Sequence, residues 1–197
     1  MPSTHDFGFP MQSLDWASWV PVLDLDRATP NEIKVLEESH PKAKENPYYL
    51  LLVQEAEVLR QRSKLFNTIM YGPRGASRAE RELAATAESR LNGCPYCASV
   101  HALRYVQMKG DPDLMARLME QGVDTPMEPR PRAIVDFAVK LAATPSAATE
   151  ADIARLREQG LEDAQILDIA MSVAMFANAN RLMQTLGEAV MPQDAAP

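Results

Sequence analysis

An all-helical fold is what this chain predicts, on three observations. Apolar residues recur at three- and four-residue spacing through most of its 197 residues, no β-branched alternating run of strand length occurs, and helix-start signatures stand ahead of the periodic segments. The texture of those segments is Ala, Leu and Met, which are good helix formers.

The elements follow in order. Residues 1–30 are rich in Pro, Asp and aromatics and keep no period. They read as an extended arm lying on the body or on a neighbouring subunit, with Trp16, Trp19 and Val20 as packing points. Thr29-Pro30 is an N-cap followed by Pro at the first helical position, opening a short helix to about Glu38. Pro41 and Pro47 bracket a loop. From Tyr48 to about Tyr71 the positions Leu51, Leu52, Val58, Leu59, Leu65, Phe66 and Ile69 fit helical spacing, and Gly72-Pro73-Arg74-Gly75 ends the run. Ser77 with Glu80 is a capping-box pair, starting a helix that buries Leu83, Ala84, Ala87 and Leu91. Asn92-Gly93 breaks it. A further helix runs from Cys94 to about Lys109, and helical segments near 112–121, 130–143, 149–158 and 162–189 follow, with Thr149 and Asp152 as a second capping pair. Residues 31–190 are read as one helical domain between the arm and a flexible tail, 191–197.

Composition narrows the function classes. The 46% apolar content is that of a globular chain, and a net charge of -7 without a basic stripe argues against nucleic acid. Arg60, Arg62 and Lys64 form the densest basic cluster, and it is short. The longest uncharged stretch, Ile169 to Asn180, has twelve residues, against about 20 for a membrane-spanning helix. Met1 to Gln12 shows no basic region followed by an apolar core, so no secretory signal is expected, and a reducing, cytoplasmic compartment follows. The eleven methionines sit at helical spacings and read as core or interface filling.

The chemistry concentrates in Asn92-Gly93-Cys94-Pro95-Tyr96-Cys97-Ala98-Ser99-Val100-His101, which holds both cysteines of the chain. If Cys94 opens a helix, positions 94, 97 and 101 fall within roughly 60° of one another on its surface. Backbone amides in the first turn favour a thiolate, at Cys94 most of all, and His101 can take the thiol proton or hold the thiolate by charge. The block thus holds a candidate nucleophile, a resolving partner and a base. Two other readings stand beside it. The cysteines could be small buried hydrophobes, or they could bind zinc with His101, although three ligands on one helix leave an open geometry and only His5 and His40 remain elsewhere. Glu82, twelve positions before Cys94, joins the block if the Asn92-Gly93 turn packs the two helices antiparallel. Glu80 and Glu88 compete, but Glu80 serves as cap partner and Glu88 points to another side. Phe66, Met70, Tyr71 and Tyr105 are candidates for an apolar channel to the thiols.

This constellation resembles the alkylhydroperoxidase AhpD-like family, also called the carboxymuconolactone decarboxylase-like family, and within it the peroxidase-related members. The core from Ser77 to His101 carries the likeness, with Glu82, Cys94, Cys97 and His101 in the family's glutamate, first cysteine, second cysteine and histidine positions. Trp19-Val20-Pro21, Asn46-Pro47, Leu65 to Tyr71, Asn180-Arg181-Leu182 and Gly187 extend it. The resemblance implies an AhpD-like helical fold with the cysteine pair at the start of a central helix, assembled as a homo-oligomer, trimer or hexamer. It also implies a thiol-dependent peroxidase without cofactor or metal. Cys97, assisted by His101 and Glu82, would attack a hydroperoxide and become a sulfenic acid, and Cys94 would close the disulfide. An external dithiol, possibly lipoyl, would reduce it. The chain departs from the family's better-studied peroxidases at Tyr96, where they carry a histidine, and a phenol takes up a proton poorly at neutral pH. The alternatives are a redox-sensing or structural protein of the same fold, and a lactone decarboxylase.

Overall fold

A computed structural model describes residues 7–192; His5 and the end of the tail, 193–197, lie outside the described residues. The chain begins with strand β1, Asp15–Ser18. Helix α1, Pro30–Ser39, starts from the expected cap, where Thr29 and Glu32 hold each other's backbone amides in a capping box. The expected long helix from Tyr48 is broken into α2, Pro47–Leu52, a 3-10 turn, Val53–Glu55, and α3, Ala56–Tyr71. The apolar period survives the break. The tighter turn seats Val53 in a buried cluster with Val35, Leu36, Ala43 and Leu59, and Glu55 leaves helical geometry at φ -111° and ψ 69°.

Helix α4, Arg78–Leu91, opens on the Ser77–Glu80 box. Every residue from Arg81 to Ser89 is buried, because α5, Pro95–Gln107, packs along it and the later helices cover its other sides. The small side chains Ala84, Ala85, Thr86, Ala87 and Ser89 allow that close approach. After α6, Pro112–Gln121, helices α7, Pro129–Ala142, and α8, Glu150–Glu158, lead to α9, Asp163–Leu186. At about 1.5 Å per residue α9 is long enough to cross the core, where it packs on α3, α4 and α7. Main-core residues such as Leu83, Met115, Leu118, Ile134, Phe137, Leu156 and Ile169 fill the space among these helices.

The two ends of the chain depart from helical periodicity. The last segment turns from helix into strand β2, Gly187–Val190, which pairs antiparallel with β1 in the register Asp15 to Val190. Part of the extended arm therefore lies on the body through backbone hydrogen bonds. Trp16 is buried there and donates its indole N–H to the Met183 carbonyl at 3.0 Å. A Cβ at Gly187 would stand 2.3 Å from both the Trp16 ring and the Ala17 carbonyl oxygen, so this position needs glycine for close approach. No helix among the described residues is long and apolar enough to cross a membrane.

Candidate active site

The site is placed by the turn between α4 and α5. Gly93 takes φ +72°, in the left-handed region where glycine carries no side-chain penalty, and the Cys94 amide closes back on the Ser89 carbonyl at 2.9 Å. Cys94 is then the N-cap of α5, Pro95 its first residue and Cys97 its third. The chain doubles back so that Glu82, at the far end of α4, lies against His101.

There His101 Nδ1 and Glu82 Oε2 are 2.5 Å apart, and both side chains are buried. The other carboxylate oxygen, Oε1, accepts from Arg78 Nε at 2.5 Å, one helical turn back. Burial works against the Glu82 charge, but His101 and Arg78 outweigh it and hold the carboxyl below its usual range. A carboxylate can only accept, so Nδ1 carries the proton and Nε2 keeps its lone pair. Burial also pushes His101 below its ordinary value, more strongly than Glu82 raises it. The imidazole is neutral at pH 7, the form a base needs. Its ring packs edge-on against Phe176, with centroids 3.9 Å apart.

Both cysteines are free and buried. Interaction with the neighbouring Cys97 thiol lowers Cys94, with help from the Cys97 amide and Gln184 against the effect of burial. That same interaction and burial raise Cys97 well above the ordinary thiol value. Of the two, Cys94 therefore gives up its proton more readily, at the position where the first-turn amides were expected to favour a thiolate, and Cys97 holds its proton more tightly. The Cys97 thiol donates to the Met183 sulfur at 3.4 Å.

The two sulfurs face different spaces. Cys97 and His101 share the wall of a cavity of about 250 Å³ with Tyr48, Tyr49, Arg62, Phe66, Arg104 and Phe176. Cys94 borders a smaller space of about 70 Å³ against Trp16, Trp19, Gln184 and strand β2. Tyr96 walls both, and its hydroxyl accepts from Asn46 Nδ2 at 3.1 Å. Of the expected channel residues only Phe66 lines the Cys97 cavity. Met70 is fully buried, Tyr71 borders a separate depression with Arg78 and Arg104, and Tyr105 faces another beside α6. The sequence reading also missed Arg78, for which spacing four residues before Glu82 was an available signal. Among the described residues no group of three or more His, Cys, Asp or Glu side chains could hold a metal ion.

The competing glutamates separate as expected. Glu80 caps α4 and pairs with Arg130. Glu88 is buried away from the thiols, accepting from Asn92 Nδ2 at 2.5 Å, and burial raises it to about 7 from an ordinary 4.5. A carboxyl raised by folding binds its proton more tightly in the native state, so it lowers stability as pH climbs from 4.5 through about 7. Glu88→Gln is expected to be stabilising relative to the parent above that window and near neutral below it, in thermal melts across the range.

Known proteins share both the sequence pattern and the architecture. Residues 56–140 match the carboxymuconolactone decarboxylase family. An uncharacterized peroxidase-related protein from Ralstonia eutropha JMP134, described as an alkylhydroperoxidase AhpD core, is 27% identical with a TM-score of 0.74, covering 86% of this chain and 90% of its own. An uncharacterized peroxidase-related protein from Silicibacter sp. TM1040 is 28% identical with a TM-score of 0.70, over 84% of this chain and 88% of its own. The debrominase Bmp8 shares the fold at 17% identity and a TM-score of 0.67, over 84% of this chain and 88% of its own. No curated protein matches the chain. With a carboxymuconolactone decarboxylase family match across its central helices, residues 56–140, and the architecture of peroxidase-related proteins over most of its length, the chain carries that family's domain and is similar to AhpD-like proteins.

Proposed function

We propose that the protein is a thiol-dependent peroxidase in which Cys97 attacks a hydroperoxide. Fold alone does not choose the reaction, since the same architecture serves a debrominase. The observation that supports this reading is the shared cavity wall of Cys97 and His101, with Glu82 bonded behind the imidazole and the Cys94 sulfur interacting with the Cys97 thiol.

His101 Nε2 takes the Cys97 proton, and the new thiolate attacks the terminal oxygen of ROOH. The O–O bond breaks, leaving Cys97 as S–OH and RO⁻, which takes the proton back from His101 to give ROH. Cys94 then attacks the Cys97 sulfur and forms the disulfide, and the hydroxide leaves as water with the proton that the Cys94 thiol gives up. Glu82 holds the imidazole in one tautomer and stabilises its cation while the proton is in transit. An external dithiol, possibly lipoyl, restores both thiols by exchange. Tyr96 serves as a shared wall between the two sulfur spaces, and the protomers act within a homo-oligomer in the cytoplasm.

A steady-state assay with organic hydroperoxide or hydrogen peroxide and dihydrolipoamide, read alongside intact mass, tests this. Sustained turnover and loss of two hydrogen masses on stoichiometric oxidation are expected. Oxidation without turnover would instead fit a redox sensor, and turnover of a carboxymuconolactone with both thiols blocked would fit a decarboxylase.

A further inference from the structure

The Cys97 cavity is electrically one-sided: the charge of Arg62 favours the Cys97 thiolate, and further positive groups stand around the same space. The whole chain carries a net charge of -7, yet this cavity is lined by Arg62, Arg104, Lys42 and His40, and no Asp or Glu is among its described lining residues. Glu82 stands behind His101, with both oxygens engaged.

Among the described residues neither arginine forms an ion pair with a carboxylate, although the charge of Arg104 also reaches Glu82 and helps to lower it. Arg62 lies over the rings of Phe66, Tyr49 and Tyr48, at 5.0, 5.7 and 5.8 Å from their centroids, and it donates a 3.5 Å hydrogen bond to the Tyr49 hydroxyl. Arg104 makes no ion pair among the described residues, while its positive field reaches His40, Tyr96 and His101 around the same space. Partly buried guanidinium groups are normally matched by an anion, and a cleft lined by one sign of charge concentrates ligands of the other. The remaining wall is apolar, with Phe66, Phe176, Ala179 and Met183. The volume of about 250 Å³ equals about eight waters, enough for a compact aryl or short alkyl body.

We propose that this cavity selects hydroperoxides carrying a carboxylate: the carboxylate pairs with Arg62 and Arg104, the apolar body lies along Phe66 and Phe176, and the O–O group reaches Cys97. The assignment rests on the peroxidase reading for its chemistry, but the anion site is a property of the cavity and is tested separately.

The reactive probes are para-carboxy-cumene hydroperoxide and its methyl ester, which share the O–O bond and the ring. The inert probes are 4-isopropylbenzoate and its methyl ester, followed by calorimetry. The acid is expected to exceed the ester by about tenfold or more in kcat/KM at low salt. High salt should shrink that ratio, as should Arg104→Met and the Arg62→Met/Arg104→Met pair, with Arg104→Lys retaining part of it. The ratio cancels any effect these variants have on the thiols themselves. If neither hydroperoxide turns over, the peroxidase reading fails and the inert pair decides this one: binding of the acid over the ester, weakened by Arg104→Met, supports the anion site. Equal treatment of acid and ester by the parent, or an acid preference unmoved by both salt and Arg104→Met, overturns it. Salt dependence of the parent decides between these outcomes even if the double variant does not fold.

Discussion

Cys97→Ser is expected to lose at least about three orders of magnitude in steady-state hydroperoxide consumption, as for loss of a nucleophile. Cys94→Ser is expected to behave differently, reducing a single equivalent per chain and stopping, because Cys97 would reach the sulfenic acid with no thiol beside it to close the disulfide. This asymmetry comes from the cavities, since only Cys97 shares a wall with His101 while Cys94 faces the space under the β1–β2 pair. Cys94→Ser also removes the ionisable sulfur whose interaction raises Cys97. Its first turnover is therefore expected to be no slower than the parent's at matched peroxide. Stopped-flow peroxide consumption with reduced protein checks both variants. Equal loss in the two would mean that the sulfurs share the attacking role.

The second large effect belongs to the pair behind the thiol. His101→Ala is expected to lower kcat/KM by about 10²–10⁴, the range for a positioned acid–base group, and Glu82→Gln by about 10–100, the range for an orienting partner. Glu82→Gln keeps the shape but loses the charge that stabilises the imidazolium and pairs with Arg78. A pH profile separates these roles from plain loss of structure. In the parent, burial holds His101 below its ordinary 6.5, so the acid limb of kcat/KM should lie below that value. Removing the Glu82 charge takes away the influence that raises His101, which moves the limb further down. Stability follows the same sign. Both pKa values are depressed by folding, so the unfolded chain takes up the protons first. The His101 contribution is full above 6.5 and the Glu82 contribution above 4.5, each fading as pH falls through the folded value. Acid melts of the parent should weaken below 6.5, and His101→Ala should flatten that part of the curve.

Much of this site was readable in the residues because it is built from local geometry. Cys94, Cys97 and His101 lie within about two turns of helix, and Asn92-Gly93 announces the reversal that brings Glu82 alongside. The capping boxes at Thr29, Ser77 and Thr149 fix helix starts for the same reason: both partners are three residues apart. Periodicity was silent where partners are distant. It marked Met70, Tyr71 and Tyr105 as helical residues without saying which neighbour each meets, and only Phe66 of that group reaches the cavity. Arg62 and Arg104 come from helices 42 residues apart, and only the packed fold sets both against the thiol. The strands Asp15–Ser18 and Gly187–Val190 are four residues each, too short to carry an alternating pattern, and their pairing depends on Trp16 filling the space that Gly187 leaves.

The most direct measurement is trapping of the oxidised sulfur. Cys94→Ser and Cys97→Ser, each treated with one equivalent of hydroperoxide and a sulfenic-acid-specific dione, are digested and mapped by mass spectrometry. A dione adduct on Cys97 in the first variant and none on Cys94 in the second is the expected result. An adduct on Cys94 with an unmodified Cys97 would contradict the assignment of Cys97 as the residue that meets peroxide.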